Sequence, residues 1–503
     1  MNRFTQITTL FLCGFFLLGF FLSSVKGNTE DSIYKTTYDV TIDERNPRLL
    51  HVKARFDLQD DVLYMSQNGA GQFPERWAKF VRNLKVTGSK GKTLKFKELP
   101  GAKWKIESSK NRTVTIEYEI TLEHEKHQWS GGIDGAAFLR DWGVFYTGRS
   151  FLIMNGSKRI DIRLNFRAPT KWNVSASWNQ TKPNSFIAKN LTDLSESMFF
   201  AGTHKEFSIK QNGFELLFAL GGAEIIAQQE YFKGLARGVM DYYIDLMGGI
   251  PSGSPENRFK KSIVIINSGA ALDGEVIGNH ISMIFNPNGS KQDQLVSRFI
   301  FAHEFFHLWN GKSIRANDTT EDWFKEGISS YYTLKALRHV GAIDEEGVLK
   351  VLDSLFYRRY RNDKGYGKSS MRDVASGFNK GKHWGLIYGG GLFVGMCQDI
   401  TIRYSTGNKR SLDDLMRMYF KTYGGSEKTY TTLDLQNSLA ELSNASQADF
   451  FKQHVFGVTP IPIARCLSLA GLNATIENGQ LKIGKHAQST GLQRSIQNGV
   501  LEN

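Results

Sequence analysis

Between about residues 33 and 215 apolar side chains recur at every second position, and past about residue 225 they recur with the period of a helix. Leu50, Val52, Ala54, Phe56 and Leu58 alternate with His51, Lys53, Arg55 and Asp57. Val114, Ile116, Tyr118, Ile120 and Leu122 repeat the pattern, as do Ile160, Ile162, Leu164 and Phe166. Such alternation belongs to strands that bury one face and wet the other. Turn-rich stretches such as Gln67-Asn68-Gly69-Ala70-Gly71 separate them. An antiparallel β-sandwich or similar β domain is therefore expected first. A chain of 503 residues also exceeds a single ordinary core, so further domains must follow.

The second half reads as helices. Ser290 with Asp293, and Ser411 with Asp414, have the spacing of capping boxes. The first should open a helix reaching about Trp309. The stretch from Glu321 to Val340 is helical in character and stops at Gly341, a residue suited to a left-handed cap. Ser262 to Phe285 holds two apolar runs separated by Gly-rich turns, and predicts a small sheet beside the helices. The fold class is α+β and multidomain, with these expected divisions: 1–27 a secretory leader, 28–220 the β domain, 221–445 a mainly helical domain, and 446–503 a last helix, the Thr459-Pro460-Ile461-Pro462 segment and a mixed tail. There is no internal repeat and no low-complexity tract.

The leader assignment comes from Arg3, the apolar run Leu10 to Leu22, and the small-residue exit Ser23-Ser24-Val25-Lys26-Gly27. That run of about 13 residues is short of the roughly 20 that span a bilayer as a helix. Export to the periplasm or beyond is expected, with no membrane span unless the leader stays uncleaved. The net charge of +13 is spread along the chain, whereas nucleic-acid binders concentrate theirs, so no nucleic-acid partner is expected. Arg358-Arg359-Tyr360-Arg361, the densest basic run, reads as a solvated helix end. Only Cys397 and Cys466 follow the leader, too few for a disulfide framework. Cys397 lies in an apolar helical pattern and reads as a small buried residue, although one bridge remains open. Several sequons, including those at Asn111, Asn155, Asn173, Asn179 and Asn190, matter only in a host that glycosylates exported proteins.

His303-Glu304-Phe305-Phe306-His307 is an HExxH motif. Residues four apart share a helix face, so both imidazoles can address one ion, while Glu304, rotated off that axis, can address a water beside it. The surrounding Phe299, Ile300, Phe301, Phe305 and Phe306 would make stray His and Glu costly to bury. A catalytic zinc takes three protein ligands and keeps one position open. Glu326, in Trp323-Phe324-Lys325-Glu326-Gly327 at the start of the next expected helix, supplies the third.

His303 to Asn310, followed by Trp323 to Tyr332 and then by Tyr388-Gly389-Gly390-Gly391 and the Phe450-Phe451 to Pro462 segment, resembles the glycyl aminopeptidase family. That family belongs to the gluzincins, zinc peptidases with two His and a Glu on a thermolysin-like fold. The resemblance is firmest from about 290 to 400. It implies a Zn2+ cofactor, peptide substrates, and an aminopeptidase releasing small N-terminal residues such as Gly or Ala. It also implies that Tyr388 stabilises the oxyanion, that Glu275, in Gly274 to Ser282, holds the substrate's α-ammonium, and that His383 and Trp384 line the pocket. The order of residues around Glu275 departs from the family pattern, and Gly390 stands where related aminopeptidases carry a Lys. An endopeptidase with the same zinc site, and a non-catalytic peptide-binding surface protein, are the alternatives. Relatives often carry a PDZ module at the C-terminal end, and too few residues follow about 475 to form one.

Overall fold

The alternating stretches become strands. Leu49–Asp57 and Thr113–Thr121 pair antiparallel, setting Val52 opposite Tyr118 and Ala54 opposite Ile116 on the buried face. They lie within an eight-stranded sheet in which Thr36–Ile42 runs antiparallel to Leu49–Asp57 and parallel to Ile160–Arg167. The computed structural model describes residues 35–107, 113–129, 132–270, 272–376 and 378–502. The leader and the Asn111 sequon lie outside the described residues. Among those described, no helix is long and apolar enough to cross a membrane.

A four-stranded sheet formed by Asn173–Ala176, Met198–Gly202, Gly143–Thr147 and Ala137–Arg140 joins the two halves of the molecule. Strand alternation gives it two apolar faces. Val144, Tyr146, Phe199 and Ala201 pack into the core of the eight-stranded sheet. Phe138, Phe145, Met198 and Phe200 point the other way, onto Ile263, Ile265, Ile277 and Ile284. Those isoleucines belong to a mixed five-stranded sheet ordered Lys205–Gln211, Phe214–Gly221, Lys261–Ser268, His280–Phe285, Asp273–Ile277. This sheet gathers strands from both sides of residue 220, the expected end of the β domain. Phe214–Gly221 alternates enough to read as part of the first domain, yet it pairs in parallel with Lys261–Ser268 and takes its place in the second.

Helices cover the far face of this sheet. Ser290 and Asp293 form the expected capping box, and the histidine helix runs Lys291–Phe306, with His307 at its C-cap rather than three residues further in. The glutamate helix is Asp322–His339, and Gly341 sits beyond it at φ +70°. A third helix, Gly391–Ser405, crosses the glutamate helix at a close point. A Cβ on Gly391 would stand 2.1 Å from the Trp323 carbonyl oxygen, and one on Gly327 would stand 2.2 Å from the Gly391 carbonyl carbon, so only glycine fits at either place. Within residues 446–502, Phe451, Val455, Leu467, Leu481 and Ile496 share one core with the histidine and glutamate helices.

The expectation for Cys397 needs correction. It is bonded to Cys466 of helix Ile463–Leu469, with Cα atoms 5.2 Å apart, inside the range a disulfide bridges. The two helices pack together across a separation of 69 residues, which hydrophobic period cannot reveal. Closing a loop of that length should stabilise the helical domain by about 2–4 kcal/mol. We predict that reduction lowers the denaturant midpoint of wild-type protein, and that the Cys397→Ala/Cys466→Ala protein starts lower and ignores reductant. A wild-type midpoint indifferent to reductant would contradict this.

Candidate active site

The histidine and glutamate helices bring three side chains to one point. His303 Nε2 lies 3.1 Å from His307 Nε2 and 3.2 Å from Glu326 Oε2, and His307 Nε2 lies 3.1 Å from the same oxygen. Metal–ligand bonds of about 2.0–2.1 Å in a tetrahedron set ligand atoms about 3.3 Å apart. The triangle is of that size, and its corners are lone-pair donors. His307 Nδ1 sits 3.0 Å from the Asn310 carbonyl oxygen, which requires the proton on Nδ1 and leaves Nε2 free. His303 Nδ1 is 3.4 Å from Ser330 Oγ. Burial holds the His303 pKa down at about 4, so its imidazole is neutral near pH 7, as a ligand's must be. The residues present thus fit a divalent cation.

Glu326 uses its two oxygens differently. Oε2 faces the histidines, while Oε1 accepts from Lys380 Nζ at 2.5 Å and has Lys325 Nζ at 3.5 Å. Burial alone would raise its pKa, but Lys380, His307 and Lys325 hold it well below the usual carboxylate range. Lys380 also donates to Asp322 Oδ2 at 2.9 Å.

A cavity of about 1410 Å³ opens beside the triangle, between the β domain and the helices. Glu304 lines it, with a carboxylate oxygen within 4.8 Å of both imidazoles. Burial first, then Glu326 and Glu275, push its pKa well up. Tyr388, in the π-helical turn Gly385–Gly390, lies in the wall with its ring 5.9 Å from that of His303 and stacked on Trp384 at 4.6 Å. Burial keeps its phenol protonated, well above the ordinary tyrosine pKa. Glu275 lines the opposite wall, on the edge strand Asp273–Ile277. That strand lies close to the histidine helix: a Cβ on Gly274 would come 2.4 Å from Ile300 Cγ2 and 3.2 Å from Glu304 Cγ.

His303, Glu304, Glu275, Trp384 and Tyr388 line one cavity, and His307 and Glu326 meet His303 at its wall. His383 does not join them. It does not line the cavity, and its Nδ1 lies 2.7 Å from Asp363 Oδ1. On a helical turn His383 and Trp384 point about 100° apart, so one neighbour enters the cleft and the other does not. Sequence reasoning missed Lys380, whose setting in Asn379-Lys380-Gly381-Lys382 looks like a solvated basic run. It also missed Asp134 and Asp273. Asp134 comes from the β domain, is fully buried, and has no basic partner among the described residues, its side chain lying against that of Asp273. Burial, then Asp273 and Glu275, raise its pKa well above the usual value.

Residues 37–203 match the family model of the peptidase M61 N-terminal domain, and residues 297–387 match that of the M61 glycyl aminopeptidase. Among solved structures, an aminopeptidase N family protein from Idiomarina loihiensis superposes with a TM-score of 0.74 at 19% identity, covering 88% of this chain and 79% of that one. That likeness establishes the fold. No curated protein matches the chain. With both M61 domains present in order, and with the sheet-rich and helical parts arranged as in an aminopeptidase fold, the chain belongs to the M61 glycyl aminopeptidase family of peptidases.

Proposed function

We propose that the chain is a zinc aminopeptidase in which His303, His307 and Glu326 hold the metal. The observation that carries this is the triangle of His303 Nε2, His307 Nε2 and Glu326 Oε2, with edges of 3.1–3.2 Å. When bound, zinc would act as a Lewis acid on the scissile carbonyl and bring the pKa of water from about 16 towards about 7. Glu304 takes the proton of the attacking water on its carboxylate, the new C–O bond forms, and the same carboxyl returns the proton to the leaving amine as the C–N bond breaks. The Tyr388 phenol, protonated at working pH, donates to the carbonyl oxygen as it gains charge. Lys380 keeps Glu326 ionised and aimed, since an unpaired buried carboxylate would neutralise instead. We predict that Glu304→Gln retains about one equivalent of zinc while turnover falls about 10²–10⁴-fold. Metal analysis beside an arylamide assay checks this, and turnover retained by that variant would refute Glu304 as the base.

Recognition of a free amine is what separates an aminopeptidase from an endopeptidase with the same centre. Glu275 favours the former: it is half-buried in the cavity wall, and no described residue hydrogen-bonds its carboxylate or lies within ion-pair distance of it, so that charge is available to an ammonium group. The Cys397–Cys466 bridge supports an exported protein, because such bonds persist in oxidising compartments. We predict that N-acetylation of a glycyl peptide abolishes its hydrolysis, and that Glu275→Gln raises KM for the free peptide about tenfold or more. Cleavage of the acetylated peptide at a comparable rate would favour the endopeptidase.

A further inference from the structure

The cavity is electrically two-sided. On the histidine helix, Ile300 and Glu304 face the edge strand, which adds Asp273 and Glu275 to that wall. Phe299 and His303 face the other wall through Phe356 and Tyr388, and there the charged lining is Lys350, Arg358, Arg359 and Lys380. Two of these cations have acidic partners. Arg358 donates to Asp353 Oδ2 from two nitrogens, at 2.8 and 2.5 Å, and Lys380 is engaged by Glu326 and Asp322. Arg359 is different. Its guanidinium lies 4.7 Å from the centre of the Trp384 ring, and among the described residues no carboxylate pairs with it. Contact with the indole face leaves the guanidinium N–H groups without an acceptor among the described residues.

Such an arrangement receives a carboxylate. Trp384 stacks in turn on Tyr388, and the two stacking distances place the guanidinium at most about 9 Å from the Tyr388 ring. An extended peptide advances about 3.3–3.6 Å per residue. We propose that Arg359 binds the free C-terminal carboxylate of the substrate, so that the cleft takes dipeptides and tripeptides, the carboxylate ending one or two residues past the bond cut. The proposal deepens the aminopeptidase function above and rests on it for the direction of the peptide. The ammonium lies at the acidic wall and the carboxylate at the basic one, matching a short zwitterion end to end. An internal stretch of a long chain offers no such charge.

The test compares glycyl-leucine and glycyl-leucyl-leucine with their C-terminal amides. In the wild type, kcat/KM for at least one free acid should exceed that of its amide by about tenfold. Arg359→Gln should bring that ratio to within about twofold through KM, and Arg359→Lys, which keeps the charge, should restore part of it. Equal rates for acids and amides in the wild type, or a ratio untouched by Arg359→Gln, would overturn the proposal. Calorimetric binding of the same peptides to Glu304→Gln protein, with and without Arg359→Gln, separates the two claims. Acid-selective binding that needs Arg359 sustains the carboxylate site even if the wild type cuts neither peptide. Cleavage of acids and amides alike, with equal binding, leaves the peptidase standing and removes the carboxylate site.

Discussion

Glu326 stands between a pair of imidazoles and an ammonium group, and the site depends on how its charge is shared. A buried carboxylate is costly unless both oxygens are compensated. Here Lys380 compensates Oε1 from a short helix more than fifty residues along the chain, which leaves Oε2 directed at His303 and His307. Lys380 in turn is shared with Asp322, one turn before Glu326 on the same helix. The pairing therefore joins the glutamate helix to the 378–382 segment that leads into Trp384 and Tyr388. The same contact that aims a ligand also fixes the wall that carries the phenol and, stacked behind it, Arg359.

The β domain contributes more than a support. Its four-stranded sheet is apolar on both faces and so must be covered on both, once by the eight-stranded sheet and once by the five-stranded sheet of the catalytic part. Burial of that second face brings the turn with Asp134 against the edge strand with Asp273 and Glu275, and closes one side of the cleft. The cleft is consequently a product of the domain joint, lined by the Gly69–Gly71 turn and Arg76 from the β domain and by Asp273, Glu275 and Glu304 across from them. On the helical side the approach of Gly327 to Gly391 allows the backbones to touch, and so sets the depth at which Glu326 and Tyr388 meet.

Much of this was legible in the sequence because it was local. Period-two alternation around Val52 and Ile116, the Ser290–Asp293 cap, and the four-residue spacing of His303 and His307 each state a nearby geometry. Glu326 was accessible because a zinc centre of the kind proposed takes three protein ligands, and a carboxylate opening the next helix can supply the third. The rest depended on long-range contacts that spacing does not encode. Phe214–Gly221 looks like any half-buried strand until its parallel partner is known. Cys397 and Cys466 look like ordinary buried residues until their helices meet. His383 and Trp384 differ in direction by one helical step, and only the packed fold shows which of them meets the cleft. Lys380 and Arg359 were hidden for a common reason: each sits in a basic run whose neighbours are solvated.

The claim on which the account turns is that one zinc ion is held by both imidazoles and by the Oε2 oxygen of Glu326. Anomalous diffraction from crystals of zinc-loaded protein, recorded on both sides of the zinc edge, tests it most directly. A single peak bonded to His303 Nε2, His307 Nε2 and Glu326 Oε2, with Lys380 still on Oε1, is the predicted result. A peak that Glu326 does not touch, or no peak between the histidines at full zinc loading, would contradict it.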